Sequence, residues 1–155
     1  MNTDQDLSTD DLVLQSPAFS AGGEIPAQYS CDGENSNPPF TINGVDALAR
    51  SLVLMMDDPD APGGSYDHWL VYDISPEATE IKEGREPSGT LGVGTSGKLG
   101  YYGPCPPGER HRYVFTLYAL DTVLGLPEGM GKEEVMEAMT GNVLQKTELT
   151  VYFER

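Results

Sequence analysis

Residues Ser51-Leu52-Val53-Leu54-Met55-Met56 form an unbroken apolar run with Asp58 just beyond its end. A strand with one wet face alternates apolar and polar side chains, so a run this continuous predicts a central strand covered on both sides. Five more short β-branched or aromatic runs, at 12–14, 40–42, 69–74, 113–120 and 148–153, are separated by turn residues. Together they predict a mostly β protein. One helix is expected after Gly131, where Val135, Met136 and Met139 share a stripe and Thr140-Gly141 ends it. That stripe reads as packing surface.

A chain of 155 residues, 38% of them hydrophobic, suffices for one domain with its own core. Residues 1–11 carry Asp4, Asp6, Asp10 and Asp11 and few apolar side chains. They are expected to be a disordered acidic leader, with the folded domain at 12–155. Between 83 and 100, glycines at 84, 89, 92, 94, 97 and 100 suggest a long mobile connection of the kind that carries function.

Nine Lys and Arg against 25 Asp and Glu leave a net charge of −16, which argues against nucleic acid and anionic membrane surfaces as partners. No run approaches the roughly 20 apolar residues of a spanning helix, so no stable membrane association is expected. Cys31 and Cys105 could pair, but without a secretory leader they read as free thiols in a reducing compartment, making the protein soluble and cytoplasmic. The scarce positive charge is partly gathered, since Lys98, Arg110 and Arg112 lie close to His111. A local anion site on an acidic protein is consistent with that placement.

The two histidines, His68 and His111, both stand where a Pro- and Gly-rich aromatic segment meets a strand. Imidazole changes charge near neutral pH, so two of them beside carboxylates suit an anion site, a metal site or proton transfer. Asp58-Pro59-Asp60-Ala61-Pro62 leaves the apolar strand as a rigid loop. Ordinary strand-end capping also explains its carboxylates. By strict alternation His68, Leu70 and Tyr72 share one face and Trp69, Val71 and Asp73 the other, while His111 and Tyr113 face together and Arg112 points away. The three strand ends form one pocket only if the strands are neighbours, which spacing does not decide.

Asp-Pro-Asp-Ala-Pro at 58–62, His68-Trp69, Gly100-Tyr101-Tyr102-Gly103-Pro104-Cys105-Pro106-Pro107 and Gly108-Glu109-Arg110-His111-Arg112-Tyr113 together resemble the phosphatidylethanolamine-binding protein family, in its bacterial and archaeal, Raf kinase inhibitor-like branch. Ile25-Pro26, Tyr29-Ser30-Cys31-Asp32-Gly33, Asn37-Pro38-Pro39 and the end from Ala138 to Arg155 extend the resemblance from about Phe19 onward. It implies a β-sandwich around a large antiparallel sheet, with a pocket for phosphate-like or carboxylate-like anions. Carried over, Asp58, His68, Pro106, His111 and Tyr113 match the family's pocket residues. Asp60, Ala61 and Pro62 match its rim, Gly103 and Cys105 its backbone lining, and Tyr66 an aromatic wall. The sequence departs from the family pattern at Phe40-Thr41-Ile42, Thr95-Ser96-Gly97 and Asn142.

The expected function is therefore binding of a small anion, with no cofactor, in a protein that regulates a partner such as a kinase or protease. An acidic surface suits a partner with a basic segment. The alternative is a hydrolase or metal-dependent enzyme using Asp58 with His68 or His111. Against it stand the missing strand–turn–helix serine, the lack of close His spacing for a metal, and a Cys105 set between prolines with no helix start behind it.

Overall fold

The computed structural model describes residues 11–106 and 108–154, so the expected leader falls, apart from Asp11, outside the described residues. The apolar run becomes strand β3 (Ser51–Asp58), whose residues Leu52 to Met56 are at most 1% exposed. With β4 (Tyr66–Ile74), β6 (Thr90–Leu91), β7 (Arg110–Leu120) and β8 (Val143–Glu154) it forms a five-stranded antiparallel sheet in the order β6-β4-β3-β7-β8. A smaller antiparallel sheet, β1 (Val13–Gln15), β2 (Phe40–Asn43) and β5 (Glu80–Ile81), runs in the order β1-β2-β5.

The central position of β3 explains its composition. Leu52, Leu54 and Met56 face the layer between the sheets, with Phe40, Ile42, Trp69, Phe115 and Val151. Val53 and Met55 face the opposite side, against Leu70, Tyr72, Leu120 and the residues Val135 and Met139 of the helix α1 (Lys132–Met139). Burying each such side chain contributes about 1.5–3 kcal/mol, and here neither face offers a wet position. The helix packs through Val135 and Met139 as expected, whereas Met136 is 39% exposed and leaves the stripe.

Three expectations are corrected. Strand β8 starts at Val143, ahead of the apolar run, because residues 143–147 pair with Leu120 to Leu117 of β7 through the backbone and carry mixed side chains. The 83–100 segment is laid against β4 by hydrogen bonds from Gly92 N to Leu70 O (2.8 Å) and Thr95 N to Asp67 O (2.9 Å). Its glycines permit that approach, since a Cβ at Gly92 would collide with Met130 O and one at Gly94 with Asp67 O. Cys31 and Cys105 form a disulfide with Cα atoms 5.4 Å apart, which overturns the free-thiol expectation. The resting distance is set by tertiary approach of segments 74 residues apart in sequence.

On the helix side of the sheet, Asp57 binds Lys132 Nζ (3.0 Å), which also lies 3.8 Å from Asp67. Burial pushes the Asp57 carboxyl up to about 6, with Lys132 opposing the shift and Asp67 adding to it. A raised folded-state value favours the protonated form, so stability present below the unfolded-state value is lost as pH rises through the folded one. Wild type is expected to lose stability between about pH 4 and about pH 6 from this group, and Asp57→Asn to lack that loss. Urea midpoints of the two proteins across this range should converge toward acid; parallel profiles would contradict the assignment.

Candidate functional site

The pocket is built where three adjacent strands end. The register pairs Asp58 with Tyr66 of β4, and Asp57 with Val114 of β7, so the end of β3 lies between the starts of its two neighbours. Alternation in β3 and β7 turns Asp58, His111 and Tyr113 to the side of Met56 and Phe115. His68 does not follow alternation. The β3–β4 register slips between Met56↔Trp69 and Asp57↔Asp67, leaving His68 as the extra residue of a β-bulge. A bulge re-aims a side chain, and here His68 joins Trp69 on the inter-sheet side, with its ring centroid 5.5 Å from that of Tyr113. The expectation that His68 shares a face with Leu70 and Tyr72 is thereby corrected.

Asp58, Ala61, Pro62, Tyr66, His68, Tyr102, Cys105, Pro106, His111 and Tyr113 line a cavity of about 380 Å³. A larger cavity of about 580 Å³, between residues 12–21 and 147–149, has Glu148 as its sole ionisable lining residue and offers no comparable chemistry. Asp60 and Gly103, both expected at the pocket, do not line it. Asp60 binds Arg112 through its backbone N (2.8 Å) and its guanidinium (2.8 and 3.0 Å), which holds the carboxyl down to about 2. That pair ties the 58–62 loop to β7 and turns Arg112 away from the cavity. The Gly103 amide donates to Asn35 Oδ1 (2.7 Å), and a Cβ there would collide with Tyr29 O.

Both imidazoles are buried and fixed through Nδ1. His111 Nδ1 lies 2.6 Å from Asp58 Oδ2, and His68 Nδ1 lies 2.6 Å from Tyr102 O. Asp58 Oδ1 accepts from Asp60 N (2.8 Å), so the carboxylate is held on both oxygens. Burial lowers the His68 value from the ordinary histidine range, opposed by its bond to the Tyr102 carbonyl and by the nearby carboxylates Asp58 and Asp67. The Tyr113 hydroxyl is buried close enough to Asp58 for that carboxylate to act on it, yet it meets no protein group in good hydrogen-bond geometry among the described residues. Burial and the Asp58 charge raise its pKa and keep it protonated.

Tyr102 was missed by sequence reading. Of the neighbouring pair, Tyr101 turns inward to donate to Tyr29 O (2.7 Å) and pack against Trp69, and Tyr102 is left on the wall beside His68. No one-dimensional signal separates the two. The wall is anchored by the disulfide, by Cys31 N to Pro104 O (3.0 Å) and by the Gly103–Asn35 bond. The departures from the family pattern lie outside the lining: Phe40 and Ile42 in the inter-sheet core, Thr95 on Asp67, and Asn142 on the turn after α1. Among the described residues, no three His, Cys, Asp or Glu side chains are grouped as metal ligands. No helix among them is long and apolar enough to cross a membrane.

These features define a two-sheet β protein with a small His, Asp and Tyr pocket at the strand ends. The pattern of the phosphatidylethanolamine-binding protein family matches residues 15–154, and the chain belongs to that family. A UPF0098 protein of Methanothermobacter thermautotrophicus is 49% identical over 150 residues, covering 93% of this chain and 99% of the relative. A second UPF0098 protein, from Chlamydia trachomatis, is 43% identical over 149 residues, with 93% and 99% covered. Among solved structures, the phosphatidylethanolamine-binding protein homolog CT736 of Chlamydia trachomatis superposes with a TM-score of 0.91 at 42% identity, covering 94% of this chain and 99% of that one. Escherichia coli YbcL, described as a member of the mammalian PEBP family, gives a TM-score of 0.86 at 25% identity, with 94% and 99% covered.

Proposed function

We propose that this protein binds a small oxyanion, phosphate-like or carboxylate-like, in the 380 Å³ pocket, and acts as a binding scaffold that regulates a partner. The observation that carries this reading is the buried, unpartnered Tyr113 hydroxyl beside two imidazoles whose Nδ1 atoms are already engaged. A hydroxyl left without a partner in a buried site costs about 1–3 kcal/mol, which a bound oxygen would offset. The family name and the structural relatives point the same way. The −16 charge suits a partner that presents a basic segment. The cytoplasmic placement expected from free thiols loses that support, because a disulfide persists best in oxidising surroundings.

The enzyme alternative has one favourable feature, the His111–Asp58 pair as a general base. Its thiol nucleophile is absent, since the cysteine sulfur lining the pocket is held in a disulfide. Imidazole NMR during a phosphate titration at fixed ionic strength tests the binding reading, as only His68 and His111 give native signals. Both signals are expected to shift together and saturate. Affinity is expected to tighten as pH falls through the histidine titration, because an imidazolium adds an Nε2–H donor and a charge. Burial places the His68 part of this response below the ordinary histidine range. An affinity flat from acid to alkaline pH would sink the proposal.

A further inference from the structure

The hydrogen bonds that orient the two histidines also dictate which protons the pocket lacks. A carbonyl oxygen only accepts, so the 2.6 Å contact to Tyr102 O places the His68 ring proton on Nδ1. The Asp58 carboxylate does the same for His111. A neutral imidazole carries one N–H, so the His68 ring, whose charged form burial disfavours, is left with a bare Nε2 lone pair that has no protein partner among the described residues. His68 and His111 are 5% and 3% exposed and both line the cavity, so a ligand there meets rings otherwise enclosed by protein.

The charges around them do not compensate. Among the described residues, no Lys or Arg lines the cavity. Arg112 is tied to Asp60, and Arg110 to Glu24. Lys98 stays outside, with its ammonium 5.8 Å from the Tyr102 ring centroid. The ionisable groups facing His68 are Asp58, Asp67, His111 and the rings of Tyr66, Tyr102 and Tyr113. Those facing His111 are Asp58, Asp60, His68 and Tyr113. A fully deprotonated oxyanion entering here would set oxygen lone pairs against the His68 Nε2 lone pair, with the Tyr113 hydroxyl, beside Asp58, as a buried donor among the described residues.

We infer that the pocket selects an oxyanion by the proton it carries, taking hydrogen phosphate or a phosphomonoester monoanion and rejecting sulfate and phosphodiesters near neutral pH. This rests on the oxyanion reading above and narrows it. A P–O–H group donates to a bare Nε2, which sulfate cannot do. A phosphodiester, the chemistry of an intact lipid head group, has no such proton either, so free phosphate and lipid phosphate are separated by the same criterion. One unmade buried hydrogen bond corresponds to roughly tenfold in affinity.

The test is three titrations of the full chain, with inorganic phosphate, sulfate and dimethyl phosphate, at one ionic strength, read from the imidazole nitrogen signals of His68 and His111. At about pH 7.5 phosphate should bind at least roughly tenfold more tightly than either of the others. At about pH 5.5 the gap to sulfate should narrow to the extent that imidazolium forms and supplies donors, and the Nε2 signals should report protonation on sulfate binding. Sulfate or dimethyl phosphate matching phosphate at the higher pH overturns the inference and leaves the oxyanion pocket standing. Absence of binding by all three at both values overturns the oxyanion pocket itself.

Discussion

Asp58→Ala should destabilise the protein by about 3–5 kcal/mol and abolish anion-dependent shifts of the His111 signal. Asp58 is 3% exposed and holds two donors at once, His111 Nδ1 (2.6 Å) and Asp60 N (2.8 Å). Truncation leaves both without an acceptor in a site water barely reaches, and removes the group that fixes the His111 proton on Nδ1. The entry of the 58–62 loop, with its Asp60–Arg112 tie to β7, loses its first anchor. Asp58→Asn keeps the shape, but an amide offers one acceptor oxygen and one donor nitrogen to two N–H groups. A loss of about 1–3 kcal/mol is expected for it, so that folded protein remains for binding measurements. Urea denaturation of the three proteins gives the ordering; an alanine variant as stable as wild type would show that the carboxylate is not holding the loop.

Removing the Cys31–Cys105 bridge has the second large expected effect. It closes a loop of 74 residues, for which chain entropy gives about 4 kcal/mol. Cys31→Ser with Cys105→Ser should lower the unfolding free energy by that amount and the midpoint with it, and a thiol reductant should do the same to wild type and nothing to the variant. The pocket should weaken severalfold without vanishing, because Tyr101 to Tyr29, Gly103 to Asn35 and Cys31 N to Pro104 O still hold the 101–106 wall. Calorimetry with and without reductant measures the first effect and phosphate titration of the reduced protein the second. An unchanged midpoint would mean that the bridge restrains the unfolded chain little.

Periodicity and run length made the central strand legible, because a residue covered on both faces must be apolar whatever its partners. The same holds for the face shared by His111 and Tyr113, since β7 keeps its alternation from Arg110 onward. Motif resemblance made most of the lining legible, with Asp58, His68, Pro106, His111 and Tyr113 all brought to one cavity. It misplaced Asp60 and Gly103 because their neighbours in space, Arg112 and Asn35, are 52 and 68 positions away. It passed over Tyr102 because a Tyr-Tyr pair looks the same whichever ring turns inward.

The sequence by itself determined that this chain is a β protein with a doubly covered central strand, one short packing helix and two histidines at strand starts. Those properties are local, set by side-chain polarity at spacings of one to four residues. Only the tertiary structure decided that His68 shares the inter-sheet side with Trp69, that Cys31 meets Cys105, and that both imidazoles line one cavity. Each of those depends on strand register and loop approach across tens of residues, where a slip of one position reverses which face a side chain occupies.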